Sequence, residues 1–222
     1  KLNQTGTHNT ALGDNALYAN TASHNTAVGQ AALDANTEGF ENTAVGYNCL
    51  SDVTTGDHNT AIGHDALENV STGSYNNALG RDAGRNITTG SSNICIGQNA
   101  ADADNHVGVV AVGSLALTTN TADYNTAVGY FSARLNTSGL SNVAVGANSL
   151  ENNTTGSFNT ALGSAALINN TTASNNTALG YYTLASNTTG SRNIAVGSTA
   201  GDAITTADDS VAIGYGAMGA ND

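Results

Sequence analysis

The residues of this chain able to do chemistry are 5 histidines, 17 carboxylates and 2 cysteines. His8 and His24 are sixteen residues apart, and His58 returns at the same place in a recurring pattern. Imidazoles stacked about 5 Å apart on neighbouring strands have the geometry to share a metal ion. Glu41 stands between them at that place, however, and Tyr75, Ser92, Tyr124, Phe158, Asn175, Arg192 and Asp209 occupy it later. Such variety is the profile of a solvent-facing turn, so no metal is expected there. His64 and His106 fall elsewhere in the pattern with no visible ligand set. Asp102, Asp104, Asp208 and Asp209 sit in irregular or late turns and form no acid–base pair, and the glycine–aspartate signature of calcium rolls is missing. No nucleophile elbow, phosphate loop or zinc-protease motif occurs. Cys49 and Cys95 each replace a small residue, nearly three repeats apart, beyond disulfide reach at strand spacing. The expectation is a protein that is not an enzyme and that binds no cofactor.

What positions these residues is a repeat covering the whole chain, and repeats decide a fold before anything else does. With the glycine of Asn-Thr-Ala-Val-Gly as marker, copies fall at Gly13, Gly29, Gly46, Gly63, Gly80, Gly97, Gly113, Gly129, Gly146, Gly163, Gly180, Gly197 and Gly214. Spacings are 17 residues nine times and 16 residues three times. One residue before the glycine stand Leu12, Val28, Val45, Ile62, Leu79, Ile96, Val112, Val128, Val145, Leu162, Leu179, Val196 and Ile213. Two before it stand Ala11, Ala27, Ala44, Ala61, Ala78, Ala111, Ala127, Ala144, Ala161, Ala178, Ala195 and Ala212, with Cys95 the one exception. Three before it Thr is commonest, as in Thr10, Thr26 and Thr160. Four before it 11 of 13 copies have Asn. Three after it the residue is small, and four after it Leu dominates. Many copies carry Thr-Thr-Gly at the far turn.

Seventeen residues are too few for a helical-hairpin repeat, and period-two alternation of β-branched residues marks a strand. The spacing predicts an all-β, parallel β-solenoid of about 13 coils of 16–17 residues, one repeat domain over 1–222. Its consensus weakens at 102–110, where Ala101, His106 and Val109 replace Leu, Gly and Asn. Each coil is expected to hold two short strands, one over Asn-Thr-Ala-Val and one around the Ala-Leu pair, giving about 4.8 Å per coil and a rod of roughly 60 Å. Because side chains alternate along a strand, the apolar bias at one and three before the glycine predicts that Leu12, Val28 and their equivalents line the core. The alanines would then face outward. Alanine is poor in strands, so a row of them predicts a closely approaching surface, most simply another copy of the chain around a symmetry axis. The Asn column predicts a hydrogen-bonded ladder. Gly84 and Gly201 replace the core Leu and predict either gaps or a neighbour's side chain.

Composition excludes further classes. Formal net charge is −12 with 5 Lys plus Arg, so neither nucleic acid nor an anionic membrane surface is expected as a partner. No run of eighteen apolar residues exists to span a membrane, and no signal peptide is visible at Lys1. Asn-x-Thr/Ser acceptors recur, at Asn3, Asn69, Asn86, Asn136, Asn152, Asn153, Asn169, Asn170, Asn175 and Asn187, as a by-product of the turn consensus.

Asn-Thr-Ala-Val-Gly, Asn-Thr-Ala-Ile-Gly and above all Ser210-Val211-Ala212-Ile213-Gly214 resemble the head repeats of trimeric autotransporter adhesins and of phage tail fibres. The resemblance implies a left-handed β-roll, three chains to a fibre, on a cell or virion surface. It implies a rigid extracellular spacer, partnered by its own copies and by a receptor or glycan met through the turns. The coil here is longer than in those heads, and the extra residues fall in the Thr-Thr-Gly turn. Two other functions follow from the repeat. Uncapped coil ends predict a self-polymerising filament. An outward Thr array would predict ice binding, which an inward-facing Thr disfavours.

Overall fold

The computed structural model describes residues 5–103 and 105–219, so Asn3 and Asp104 of the sequence analysis lie outside the described residues. The chain is an all-β parallel solenoid, with no helix among the described residues. It divides into two compact units, residues 1–109 and 110–222, and the boundary falls inside the stretch of weakened consensus.

The first unit stacks β1 (Thr10–Leu12), β2 (Thr26–Val28), β3 (Thr43–Val45), β4 (Thr60–Ile62), β5 (Asn77–Leu79) and β6 (Ile94–Ile96) in chain order. The second stacks β7 (Val110–Val112), β8 (Thr126–Val128), β9 (Val143–Val145), β10 (Thr160–Leu162), β11 (Thr177–Leu179), β12 (Ile194–Val196) and β13 (Val211–Ile213). Pairing within each unit is parallel and in phase with the repeat: Ala44 opposes Ala61, and Ala161 opposes Ala178. Each coil contributes one strand of three residues, not two. The segment around the Ala-Leu pair is a turn, because Leu33, Leu50 and Leu67 have φ of 53, 50 and 51°. A left-handed Leu costs on the order of 1 kcal/mol. Each of these three is 0% exposed, and burying a Leu side chain returns roughly 1.5–3 kcal/mol. The turns bond to neighbouring coils as the strands do: Leu33 N–H donates to Cys49 O at 3.1 Å, and Asn48 N–H to Gln30 O at 3.0 Å. Stacking thus satisfies most backbone donors, and short turn bonds such as Asn136 N–H to Ala133 O at 3.1 Å satisfy others within a coil.

The corner after each strand needs the repeat glycine. Gly163 has φ of 137°, and a Cβ there would stand 2.2 Å from Gly180 O of the next coil. Coils touch backbone to backbone at this corner, which leaves no room for a methyl.

The alternation is opposite to the one predicted. Ala27, Ala44, Ala61, Ala111, Ala127, Ala144, Ala161, Ala178 and Ala195 are 0% exposed, Ala212 1% and Ala78 4%, and Ala11 of the first strand is half-buried. They point into the solenoid. The residues expected as core point out. Leu12, Ile62, Leu79, Ile96, Leu162, Leu179 and Ile213 are exposed, and Val28, Val45, Val112, Val128, Val145 and Val196 are half-buried. The reason is volume. The interior holds the buried Leu four after the glycine, and opposite it there is space only for a methyl or thiol. At Gly84, in that Leu place, an added Cβ would lie 3.2 Å from Cys95 Sγ; at Gly201 it would lie 3.4 Å from Ala195 Cβ. The two positions therefore face each other across a core one side chain thick.

Gly84 and Gly201 leave no gap. An added Cβ at Gly84 meets Leu67 Cδ2 at 2.7 Å and Ile87 Cδ1 at 3.0 Å; at Gly201 it meets Leu184 Cδ2 at 2.9 Å and Ile204 Cδ1 at 3.2 Å. In both coils an isoleucine three residues on fills the space that Leu vacates.

Candidate interaction face

Two ordered columns run along each unit, one uncharged and outside, one polar and inside. The outer column is the strand face. Its three-before row joins Thr26, Thr43, Thr60, Val110 and Thr126, half-buried, to the exposed Thr10, Asn77, Ile94, Val143, Thr160, Thr177, Ile194 and Val211. Beside it runs the Val/Leu/Ile row. No charged residue occurs in either row. At strand spacing, seven strands two residues wide present roughly 300 Å² in the second unit alone. That is the size of the largest apolar patch on a typical monomer, and such patches are often functional.

The inner column is the asparagine four before each glycine. Asn42, Asn59, Asn76 and Asn93 are 0% exposed. Each side-chain oxygen accepts the backbone N–H of its equivalent in the next coil: Asn42 to Asn25, Asn59 to Asn42, Asn76 to Asn59 and Asn93 to Asn76, at 2.9, 2.9, 2.9 and 3.1 Å. The amide nitrogen donates to the far-turn carbonyl, as in Asn59 to Gly73 O at 2.9 Å. Val109, last residue of the first unit, takes the oxygen of Asn93 at 3.0 Å but has no amide to offer in turn. In the second unit the ladder runs from Asn125 through Asn142, Asn159, Asn176 and Asn193 to Ser210.

A second buried asparagine column escaped the sequence analysis. Seven after the glycine stand Asn20 and Asn36, then Asn120, Asn136, Asn153, Asn170 and Asn187, all 0% exposed. Asn153 donates to Asn136 at 2.6 Å, Asn170 to Asn153 at 2.8 Å and Asn187 to Asn170 at 3.1 Å. The first unit switches to Val53, Val70 and Ile87 at this place, which disguised the column. Of the potential glycan acceptors, Asn136, Asn153, Asn170 and Asn187 are therefore closed to modification.

The turn columns are mostly self-satisfied. Threonine hydroxyls of the far turn donate to the next coil, Thr137 to Thr154 O at 2.8 Å and Thr154 to Thr171 O at 3.0 Å. The histidine place adopts positive φ, 60° at His8 and 63° at His24, and their rings stack at 4.8 Å with 4° between planes. Among the described residues no third ligand joins them. His58 stacks on Tyr75 at 4.8 Å, and its Nε2 lies 3.0 Å from Glu41. Arg192 binds Asp209 through Nε at 2.6 Å. Both cysteines are free and buried. Cys49 Sγ bonds Gly63 O, and burial pushes the Cys95 thiol up to about 12. His64, which showed no ligand set in the sequence, stands with Asp65 and Asp82, three potential donor atoms within 4.8 Å of one another. The signal was present in the repeat: Asp65 and Asp82 share a phase in consecutive coils.

No family model matches the chain, and neither a curated protein nor a solved structure matches it.

Proposed function

We propose that this chain is a structural module of a surface fibre, built by packing the outward strand faces of three copies around a common axis. The observation that carries the reading is the uncharged Thr/Val/Ile/Leu face, continuous along each unit while the formal charge of −12 lies elsewhere. A lone solenoid has no reason to keep Val, Leu or Ile at a solvent-facing strand position in every coil. A second copy of the same face does. It repeats at the same spacing in every copy, so equivalent columns can meet around a common axis. Threefold closure comes from the resemblance of the Asn-Thr-Ala-Val-Gly repeats to adhesin heads and tail fibres. Burying the face inside the assembly leaves the turns outside. There the exposed aromatics Tyr75, Tyr124 and Phe158 offer flat surfaces for a receptor or glycan. The role is mechanical and adhesive rather than catalytic, at a cell or virion surface.

The test is a pair of face substitutions, Val128→Lys with Val145→Lys, read by sedimentation. The parent chain is expected to sediment as a trimer and the variant as a folded monomer. A parent chain that is monomeric, or a variant that stays trimeric, rejects the reading. Open-ended filaments in electron micrographs of the parent chain would instead favour end-to-end polymerisation.

One observation favours a second reading. Thr10, Thr26, Thr43 and Thr60 lie on the outward face, not in the core, so a regular hydroxyl array is available for ice. Thermal hysteresis by the purified chain would support it. Its absence, with a stable trimer, leaves the fibre.

A further inference from the structure

We propose that His64, Asp65 and Asp82 form a binding site for a divalent cation of the zinc class. His64 and Asp65 follow the corner Gly63, and Asp82 occupies the place of Asp65 one coil on. The stack fixes their backbones: Asp65 N–H donates to Tyr47 O and Asp82 N–H to His64 O, both at 3.0 Å. Two carboxylates are thereby held on adjacent coils at strand spacing, where like charges repel.

Asp65 carries an unpaired acceptor at this cluster. Its residue is 8% exposed, its Oδ2 lies 3.0 Å from His64 Nδ1, and its Oδ1 is buried with no hydrogen-bond partner. A buried carboxylate oxygen without a donor is costly. A cation bound by the Asp65 carboxylate would offset that cost, and its charge would offset the repulsion from Asp82. The three donors lie within 4.8 Å of one another. Donors around zinc, bonded at about 2.0–2.2 Å, sit roughly 3.3 Å apart, so the widest separation contracts by up to about 1.5 Å on binding. The exposed His64 and half-buried Asp82 have room to do so, and the Tyr47 ring at 4.9 Å steadies the imidazole.

The donor set selects the ion. One imidazole nitrogen and two carboxylate oxygens suit zinc, with water at the fourth position, whereas calcium and magnesium prefer all-oxygen shells. Two cations compete. Arg81 Nε lies 3.3 Å from Asp82 Oδ2, and Arg85 Nη1 lies 3.8 Å from Asp82 Oδ1. Arg81 is exposed and its pair is weak. Arg85 is already held by Glu68 at 2.6 Å and need not move.

The experiment titrates zinc chloride into the metal-stripped chain by calorimetry at neutral pH, with thermal melting in parallel. The parent chain is expected to take up one zinc per chain and to melt higher with zinc. His64→Gln and Asp82→Asn, each confirmed as folded by circular dichroism, should weaken binding at least 10-fold and lose the melting shift. The control His8→Gln/His24→Gln should keep both. Calcium at the same concentration should give neither. No uptake by the parent chain, uptake unchanged in His64→Gln, or uptake lost in the His8/His24 control would each overturn the proposal.

Discussion

The strand face and the asparagine ladder invert the usual division between surface and core. Leu79 is 49% and Leu162 43% exposed, while Asn42, Asn59 and Asn142 are at most 1% exposed. A parallel stack explains the interior. Most coils repeat the same polar group in register, so the ladder amides find their partners one coil away, as Asn59 does on Asn42 and Asn76 on Asn59. Asparagine is tolerated inside because the neighbour supplies both a donor and an acceptor. No such internal partner exists for the strand face. Its apolar side chains are satisfied only by another surface, and that is the physical basis for proposing self-assembly.

Perturbing the corner that joins the two regions should have the largest effect. Gly163→Ala places a methyl against Gly180 O at a φ that L-residues avoid, and should cost about 3 kcal/mol or more in urea unfolding. Next comes the ladder. Asn142→Ala removes the acceptor of the Asn159 N–H and leaves that buried donor unpaired, while Gly156 O keeps its bond from Asn153. A loss of about 3 kcal/mol is expected by the same measurement. The second asparagine column should behave differently. Replacing Asn136, Asn153, Asn170 and Asn187 together by Val copies the solution of Val53 and Val70 in the first unit. Gly139 O and Gly156 O keep their bonds from Asn125 and Asn142, so four substitutions should cost less in total than Asn142→Ala alone, about 1–2 kcal/mol. A cost above that of the single ladder variant would contradict the idea that stacking, not polarity, decides what the interior accepts.

Substitutions on the outer face should be mild in the isolated chain. Val128→Lys and Val145→Lys replace half-buried residues and should each change its folding stability by under about 1 kcal/mol, while association is lost. The smallest effect concerns Cys95. Burial raises its thiol from 9.0 to about 12, so the folded chain holds this proton more tightly than the unfolded chain. The Cys95 contribution to stability is complete below pH 9.0 and falls as pH rises towards about 12. Maleimide labelling of Cys95 should accordingly require unfolding.

The repeat, its phase, the parallel stack and the asparagine ladder were all legible in the sequence, because each depends only on which residue recurs at which interval. The filling of Gly84 and Gly201 was half legible: the missing Leu was visible, but not that Ile87 and Ile204 replace it. The direction of the strand face was not legible. A three-residue Thr-Ala-Val strand alternates with period two whichever side faces in, and its β-branched residues argued for the wrong side. Core thickness decides the matter, and thickness is set by how the Leu turn folds back. That turn was itself misread as a strand, since nothing in Ala-Leu announces a left-handed leucine. His64, Asp65 and Asp82 were legible only as two aspartates in phase; the buried, unpartnered oxygen required the structure.

The most direct test of the central claim is the mass of the parent chain by sedimentation equilibrium over a range of concentrations. Covered strand faces predict a concentration-independent species of three times the 22.1 kDa chain mass. A single 22.1 kDa species throughout would leave the apolar face exposed to water and contradict the account.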